Sequence, residues 1–375
     1  MMKILQISKY YSPFIGGVEQ VAKDCSDSLK NLHDVKVFCF NHEKGDDAYE
    51  IDGIEVVRAG CYAKIASQSL SFSYCKNLKK IFKNYNPDIV IFHYPNPFAA
   101  HYLLKILKRY PDCKLVLYWH LDIVKQKILG KLFNGQTKRL IKRATKILAT
   151  SPNYIDGSKF LREYKEKCEV LSCCVNAERL SVSDADIALS ENIREKNIDK
   201  TICFAVGRHV QYKGMEYLVR AGRYLDDNIK IFIGGEGPLT ESLKELAKND
   251  DKICFLGKLN ENDLKGYLLS CDIFCFPSVT KNEAFGIALA EAMCLGKPAI
   301  TFTIPGSGVN YVSLNGVTGL EVENGNIEKY AEAIKRLADD SLLRKQYGNA
   351  AKSRVEILFT QKGFEDNLRR IINSI

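Results

Sequence analysis

The feature that most constrains this chain is a near-continuous alternation of short apolar runs with amphipathic segments, broken once by a polar stretch. Runs at 3–8, 34–40, 54–59, 88–94, 114–120, 146–150 and 168–173 read as strands. Between the first two, Val18, Val21, Ala22, Cys25, Leu29 and Leu32 recur at helical spacing from Gly17 to Leu32. A second series opens at Thr201 and continues at 228–234, 252–257, 272–277, 298–303 and 318–323. Residues 181–199 are polar and aperiodic, and they read as a linker. Alternation of this kind predicts parallel α/β architecture in two doubly wound domains, 1–180 and 200–358. A final segment, 359–375, sets Phe364, Leu368, Ile371 and Ile372 on one helical face. Open parallel sheets bind ligands beyond the carboxyl ends of their strands, so two such domains facing each other would frame a central cleft.

Composition removes several classes of function. A length of 375 residues suits two cores. No uncharged apolar run is long enough to span a bilayer. The N-terminus enters the strand-like Lys3–Ile7 directly, without the pattern of a secretory signal, so cytoplasmic residence is the expectation. The 13 cysteines include no C-x-x-C and scatter through apolar segments, as reduced and buried thiols do. Charge is unevenly placed. Residues 1–180 carry 29 Lys/Arg against 18 Asp/Glu, a net +11, and residues 181–375 carry 25 against 27. Within 101–150 there are 12 basic and 2 acidic side chains. Such a field favours an anionic partner: nucleic acid, anionic lipid headgroups or a phosphate-bearing acceptor. Nucleic acid is disfavoured, because no recognisable reading module accompanies the basic residues.

The chemistry-bearing residues cluster at predicted strand ends. Gly207-Arg208-His209-Val210-Gln211-Tyr212-Lys213-Gly214 places two cations just past the first strand of the second series. A guanidinium grips phosphate bidentately and an ammonium acts beside it as a mobile point charge. Glu283 and Glu291 follow a later strand that ends in Pro277-Ser278. On one helix, acids eight positions apart lie about 12 Å from each other, too far to share a proton but suited to two ends of one long ligand. Glu291, set among Ile287, Leu289, Ala290 and Met293, requires a polar partner, and vicinal ribose hydroxyls fit it. Gly16-Gly17-Val18-Glu19 opens the first helix, where close backbone approach and free amides favour an anion. His120 ends the strand 114–120, and His93 occupies a similar strand end as a weaker candidate. There is no G-x-G-x-x-G and no P-loop, which lowers a nicotinamide reading and removes the P-loop one. Asp184-Ala185-Asp186 mimics a D-x-D motif but lies in the linker-like stretch, so no metal is expected.

These motifs, with Gly235-Glu236-Gly237-Pro238-Leu239 and Phe255-Leu256-Gly257, resemble the retaining glycosyltransferases of family 4 over nearly the whole chain. The resemblance implies the GT-B fold: two Rossmann-like domains facing a central cleft, with the nucleotide-sugar donor held mainly by the second and the acceptor by the first. It also implies a metal-independent reaction, no cofactor, and a last helix that crosses back to the first domain. Carried over, Arg208 and Lys213 would grip the donor diphosphate, Glu291 the ribose and Glu283 hydroxyls of the transferred sugar. Gly235 and the amides of Phe285, Gly286 and Ile287 would help hold sugar and phosphate, and Gly16 and Gly17 would close on the diphosphate from the other domain. His120 would sit beside the transferred sugar.

The segments His93–Pro97 and Trp119–Lys127 are similar to a bacterial subgroup that builds O-antigen, capsule and related lipopolysaccharide-type polymers, although Leu121 stands where that subgroup often has serine. This resemblance implies a hexosyltransferase with GDP-mannose as first donor candidate and UDP- or dTDP-sugars as alternatives. It also implies a lipid-linked diphosphate saccharide as acceptor and peripheral contact with the anionic inner face of the cytoplasmic membrane. A nucleotide-sugar epimerase on the same fold is the rival reading, and a non-enzymatic nucleotide-sugar binder is a weaker one.

Overall fold

The computed structural model describes residues 1–14, 16–65, 68–123 and 127–375. It divides into two compact units, one holding Met1–Cys173 with Lys362–Ile375, the other Cys174–Gln361.

The strands of the first unit are β1 (Lys3–Ile7), β2 (Asp34–Phe40), β3 (Asp47–Ile51), β4 (Ile54–Ala59), β5 (Ala63–Ile65), β6 (Gln68–Leu70), β7 (Ile89–Tyr94), β8 (Lys114–Trp119), β9 (Lys146–Ala149) and β10 (Cys168–Val170). Eight of them form one sheet in the order β10-β9-β8-β7-β1-β2-β4-β3, and β5 and β6 pair separately. Every ladder of the large sheet is parallel except β3 against β4. Helices lie on its central strands, so β7 is buried at every position, which explains its unbroken apolar sequence. The chain builds outward from β1 in one direction and from β7 in the other. That reversal leaves a crevice beyond the carboxyl ends of β1 and β7. The helix Gln361–Asn373 completes this unit by burying Phe364, Leu368, Ile371 and Ile372. Arg369 Nε donates to the Ser28 carbonyl at 2.9 Å, and Arg370 pairs with Glu169 at 2.9 Å.

The second unit holds β11 (Thr201–Val206), β12 (Ile229–Gly234), β13 (Ile253–Gly257), β14 (Ile273–Phe276), β15 (Ala299–Phe302) and β16 (Gly319–Val322). Their order, β13-β12-β11-β14-β15-β16, is the 3-2-1-4-5-6 arrangement of a dinucleotide-binding sheet, all parallel, with its reversal between β11 and β14. Both units are thus doubly wound and Rossmann-like.

The structure departs from the expectation of a linker at 181–199. Asp184–Glu195 is a helix inside the second unit. Ser183 and Asp186 form a reciprocal capping box, and Asp186 pairs with Lys265 at 2.7 Å. Arg194 clamps Asp272 with two bonds of 2.7 and 2.8 Å. The acids that mimic a D-x-D motif therefore start a helix. Its apolar residues do not mark one face, because Ile187 is exposed while Ile193 is buried and Leu189 packs over Gly266. The edge strand β3 and the β5–β6 hairpin were not expected either. β3 is largely exposed and pairs antiparallel at the sheet margin, whereas β5 and β6 pair only with each other.

Candidate active site

In the second unit the predicted cations fall just past β11, and Glu283 lies on the loop beyond β14, the two strands that flank the reversal. Gly214 brings these loops together. It sits at φ 64° as the cap of the helix Met215–Ala221, and a Cβ there would lie 2.0 Å from the Pro277 carbonyl oxygen. Any larger residue would force the loops apart. Val279 N donates to the Tyr212 carbonyl at 3.0 Å and closes the same contact. Lys213 then reaches Glu283, and the two form an ion pair. The Lys213 ammonium also lies 5.3 Å from the centre of the Phe276 ring. Burial pulls on the Lys213 ammonium, but the Glu283 carboxylate outweighs it and holds its pKa above the usual lysine value. Ser278 Oγ donates to Glu283 Oε2 at 3.3 Å, and Ser307 Oγ donates to the Glu283 carbonyl.

Arg208 contrasts with Lys213. Its side chain is exposed, and its guanidinium has no partner among the described residues. Gly235 lies where a Cβ would meet the Gly207 carbonyl oxygen at 2.1 Å, so the β11 and β12 loops close beneath the cations.

The carboxylates do not share a helix. The helix begins at Ile287, after Gly286 at φ 93°, and only Glu291 rides on it. The left-handed turn at Gly286 puts Glu283 in the preceding loop, so a helical spacing between the two acids does not apply. No side chain caps this helix, which leaves the Phe285–Ile287 stretch as its open N-terminal end. Phe285 itself is buried edge-on against Phe359, ring centres 5.2 Å apart. Glu291 has the partner its apolar setting requires: Arg179, whose guanidinium pairs with Oε1. Glu291 Oε2 has no partner among the described residues. Nothing in the sequence marks Arg179, 112 positions away, as a neighbour of Glu291.

In the first unit, Gly16 caps the helix Gly17–Leu29 in an extended conformation. Glu19 curls back over it, so a Cβ on Gly16 would meet Glu19 Oε2 at 2.2 Å. Burial raises the Glu19 carboxyl above its usual range, partly offset by a bond from its own backbone amide. The helix end where an anion was expected is thus already faced by a carboxylate.

His120 lies just beyond β8 and is 5 % exposed. Its Nε2 lies 2.9 Å from His93 Nδ1, and His93 Nε2 lies 2.8 Å from Gln6 Oε1. Burial depresses both histidines, His120 to about 3. Nearby, Asp122 accepts from Trp119 Nε1 at 3.0 Å and from Ser158 Oγ at 2.8 Å. These bonds anchor the Trp119–Asp122 turn. Within the segment Trp119–Lys127, Val124, Lys125 and Gln126 lie outside the described residues.

Comparison with known proteins follows the same division. Residues 187–354 match the family described as glycosyl transferases group 1, and residues 15–179 match Glycosyltransferase Family 4. The chain is 30 % identical over 365 residues to O-antigen chain mannosyltransferase C of Escherichia coli, covering 96 % of this chain and 95 % of that one. It is also 30 % identical over 365 residues to D-rhamnosyltransferase WbpZ of Pseudomonas aeruginosa, with 96 % and 92 % covered. Among solved structures, sucrose-phosphate synthase from Thermosynechococcus elongatus superposes with a TM-score of 0.84 at 18 % identity, covering 100 % of this chain and 99 % of that one.

Proposed function

The chain belongs to the glycosyltransferases of group 1 and Family 4, with the GT-B fold, and from that premise we propose that it moves a hexose, mannose first among the candidates, from a nucleotide diphosphate sugar to a saccharide on a lipid diphosphate. The product would enter a bacterial surface polysaccharide, as the name of the O-antigen chain mannosyltransferase suggests for that protein. The observation that carries this reading is the cation pair at the β11/β14 reversal, with Arg208 unpaired and Lys213 held in place by Glu283.

In this reading Arg208 and Lys213 bind the diphosphate and stabilise the charge that builds on it as the glycosidic bond breaks. Glu283, already oriented by Lys213 and Ser278, accepts from hydroxyls of the transferred sugar. Glu291 takes the ribose hydroxyls on Oε2 while Arg179 fixes Oε1. The uncapped helix end at Phe285, Gly286 and Ile287 donates to sugar or phosphate, and Gly235 keeps the backbone low enough for the diphosphate. The family resemblance also gives Gly16 and Gly17 a role toward a diphosphate, once Glu19 turns away, and His120 one toward the transferred sugar. The acids at this site face cations rather than each other. That arrangement supports same-face transfer with the departing phosphate as proton acceptor, a retaining route that uses no metal or cofactor, over a double displacement on a paired carboxylate.

The acceptor side of the proposal rests on the first unit. The helix Tyr74–Tyr85 exposes Lys76, Lys79, Lys80 and Lys83, and the adjacent Phe72 is 88 % exposed. Such a face suits the anionic surface of a bilayer, where each lysine contributes about 1 kcal/mol. No described helix is long and apolar enough to cross a membrane.

The test is a thermal-shift panel of GDP-, UDP- and dTDP-sugars, followed by transfer assays with the best donor and lipid diphosphate saccharides. GDP-mannose is expected to stabilise most and to yield an α-linked product, insensitive to chelator. Recovery of an epimerised nucleotide sugar in place of a glycoside would replace transfer with isomerisation, and a product of inverted anomeric configuration would remove the retaining route.

A further inference from the structure

Gln6, His93 and His120 step diagonally across β1, β7 and the end of β8 on one face of the sheet. Gln6 lies level with Ile91, two residues before His93, and His93 lies level with Tyr118, two residues before His120. Side chains two positions apart on a strand share a face, so the fold alone aligns this row. It crosses the strand-order reversal of the first unit. Gln6 and Ser26 are wholly buried and His93 nearly so.

The hydrogen-bond roles along the row follow from one end. The Ala22 carbonyl can only accept, and Gln6 Nε2 lies 3.2 Å from it. Ser26 Oγ donates to that carbonyl at 3.1 Å, which leaves its lone pairs for the second Gln6 Nε2 proton. The Gln6 amide is therefore fixed with Oε1 toward His93, and Oε1 needs a donor. His93 Nε2 must carry the proton, so Nδ1 of the neutral ring is a lone pair. His120 Nε2 must in turn be N–H. Burial keeps both rings uncharged, so His120 Nδ1 is also a bare lone pair. No protein group among the described residues satisfies it.

We infer that Gln6 and His93 are positioning residues that lock His120 into the Nε2–H tautomer, so that Nδ1 reads a substrate hydroxyl as a hydrogen-bond acceptor. The inference rests on the reading that places His120 beside the transferred sugar. In this tautomer His120 repels phosphate oxygens and accepts from a sugar O–H. A donor with hydrogen or fluorine in place of that hydroxyl leaves a nearly buried lone pair unmatched. Selectivity for the hydroxyl is thus set by a carbonyl on a neighbouring helix, through two intermediate side chains.

The test begins with the full-length protein labelled with ¹⁵N-histidine. Two-bond ¹⁵N–¹H spectra, with His93 and His120 assigned by single substitution to Asn, are expected to show His120 with Nε2 protonated and Nδ1 bare. Observation of His120 protonated at Nδ1 overturns the inference, and this readout needs no substrate. The second arm is Gln6→Leu, which frees His93 to reverse. It should give a mixed His120 tautomer and about a tenfold loss of kcat for transfer, with the Kd for GDP or UDP unchanged. Wild type should discriminate against one deoxy donor by about tenfold, and Gln6→Leu should lose that discrimination. A locked tautomer combined with a His120→Ala variant that transfers every donor normally would leave the lock intact and remove the role of His120 at the sugar. A His120 tautomer that stays pure in folded Gln6→Leu would show that Gln6 does not set it. Should Gln6→Leu fail to fold, the wild-type spectrum still decides.

Discussion

At the β1/β7 reversal the polar groups are uncharged: a buried amide and two neutral histidines passing one lone pair outward. At the β11/β14 reversal the same place in a similarly wound sheet is filled by ions, Lys213 with Glu283 and, one helix on, Arg179 with Glu291. The difference follows from surroundings. Among the described residues the groups bonded along the histidine row are uncharged, so charge is expelled from it. The second crevice has cation and carboxylate on facing loops, so charge persists there in matched pairs. Doubly wound sheets therefore supply the location of a site and leave its electrostatics to the residues after each strand.

The largest effect is expected at Lys213. Lys213→Ala strands Glu283 and removes a cation from the proposed leaving group. It should lower kcat by roughly 10²–10³-fold. If a folded Lys213→Ala enzyme, verified by circular dichroism and its Tm, turned over near the wild-type rate, the ionic site would not be the catalytic one.

Acid should separate the units next. His93 and His120 are neutral in the fold, with His120 depressed to about 3, while an unfolded histidine takes a proton near pH 6.5. The unfolded chain therefore binds more protons below that pH. Stability of the first unit is complete above about pH 6.5 and declines as pH falls toward 3, by roughly 2 kcal/mol from His120 alone at pH 5. Hydrogen exchange at pH 7 and pH 5 should show amides of β1, β7 and β8 losing protection before those of β11 and β14. Equal loss in both sheets would erase the contrast.

Glu291→Gln sharpens the ionic side. It keeps shape and removes charge, and it should weaken nucleotide diphosphate binding about tenfold by calorimetry with the Tm nearly unchanged. The smallest effect expected is at the first unit's surface. Single Lys79→Gln or Lys80→Gln should each reduce association with anionic vesicles about fivefold, and added salt should reproduce the loss. Binding that ignores salt would argue against a role for these lysines.

What the sequence made legible tracks how local each signal is. Both sheets were readable because a strand buried on two faces must be apolar along its length, as β7 is. Lys213 and Glu283 were found because each follows a strand within a short glycine- or proline-marked turn. The pairing of those two side chains was not legible, since it depends on Gly214 meeting Pro277 across the sheet. Gln6 is invisible as a functional residue: one amide inside an apolar strand gives no hint of the histidine 87 residues away. The helix Asp184–Glu195 escaped because its stability lies in a capping box and ion pairs, while its apolar face is too sparse to show a period.

The helix Gln361–Asn373 carries a consequence for biogenesis. Residues that close the first unit leave the ribosome only after every residue of the second has been made. Until then the nascent sheet built by Met1–Cys173 waits with the seat of Phe364, Leu368, Ile371 and Ile372 uncovered, while Cys174–Gln361 can already fold. The first unit is thus begun first and completed last, and the interval between is when a chaperone would find this polypeptide.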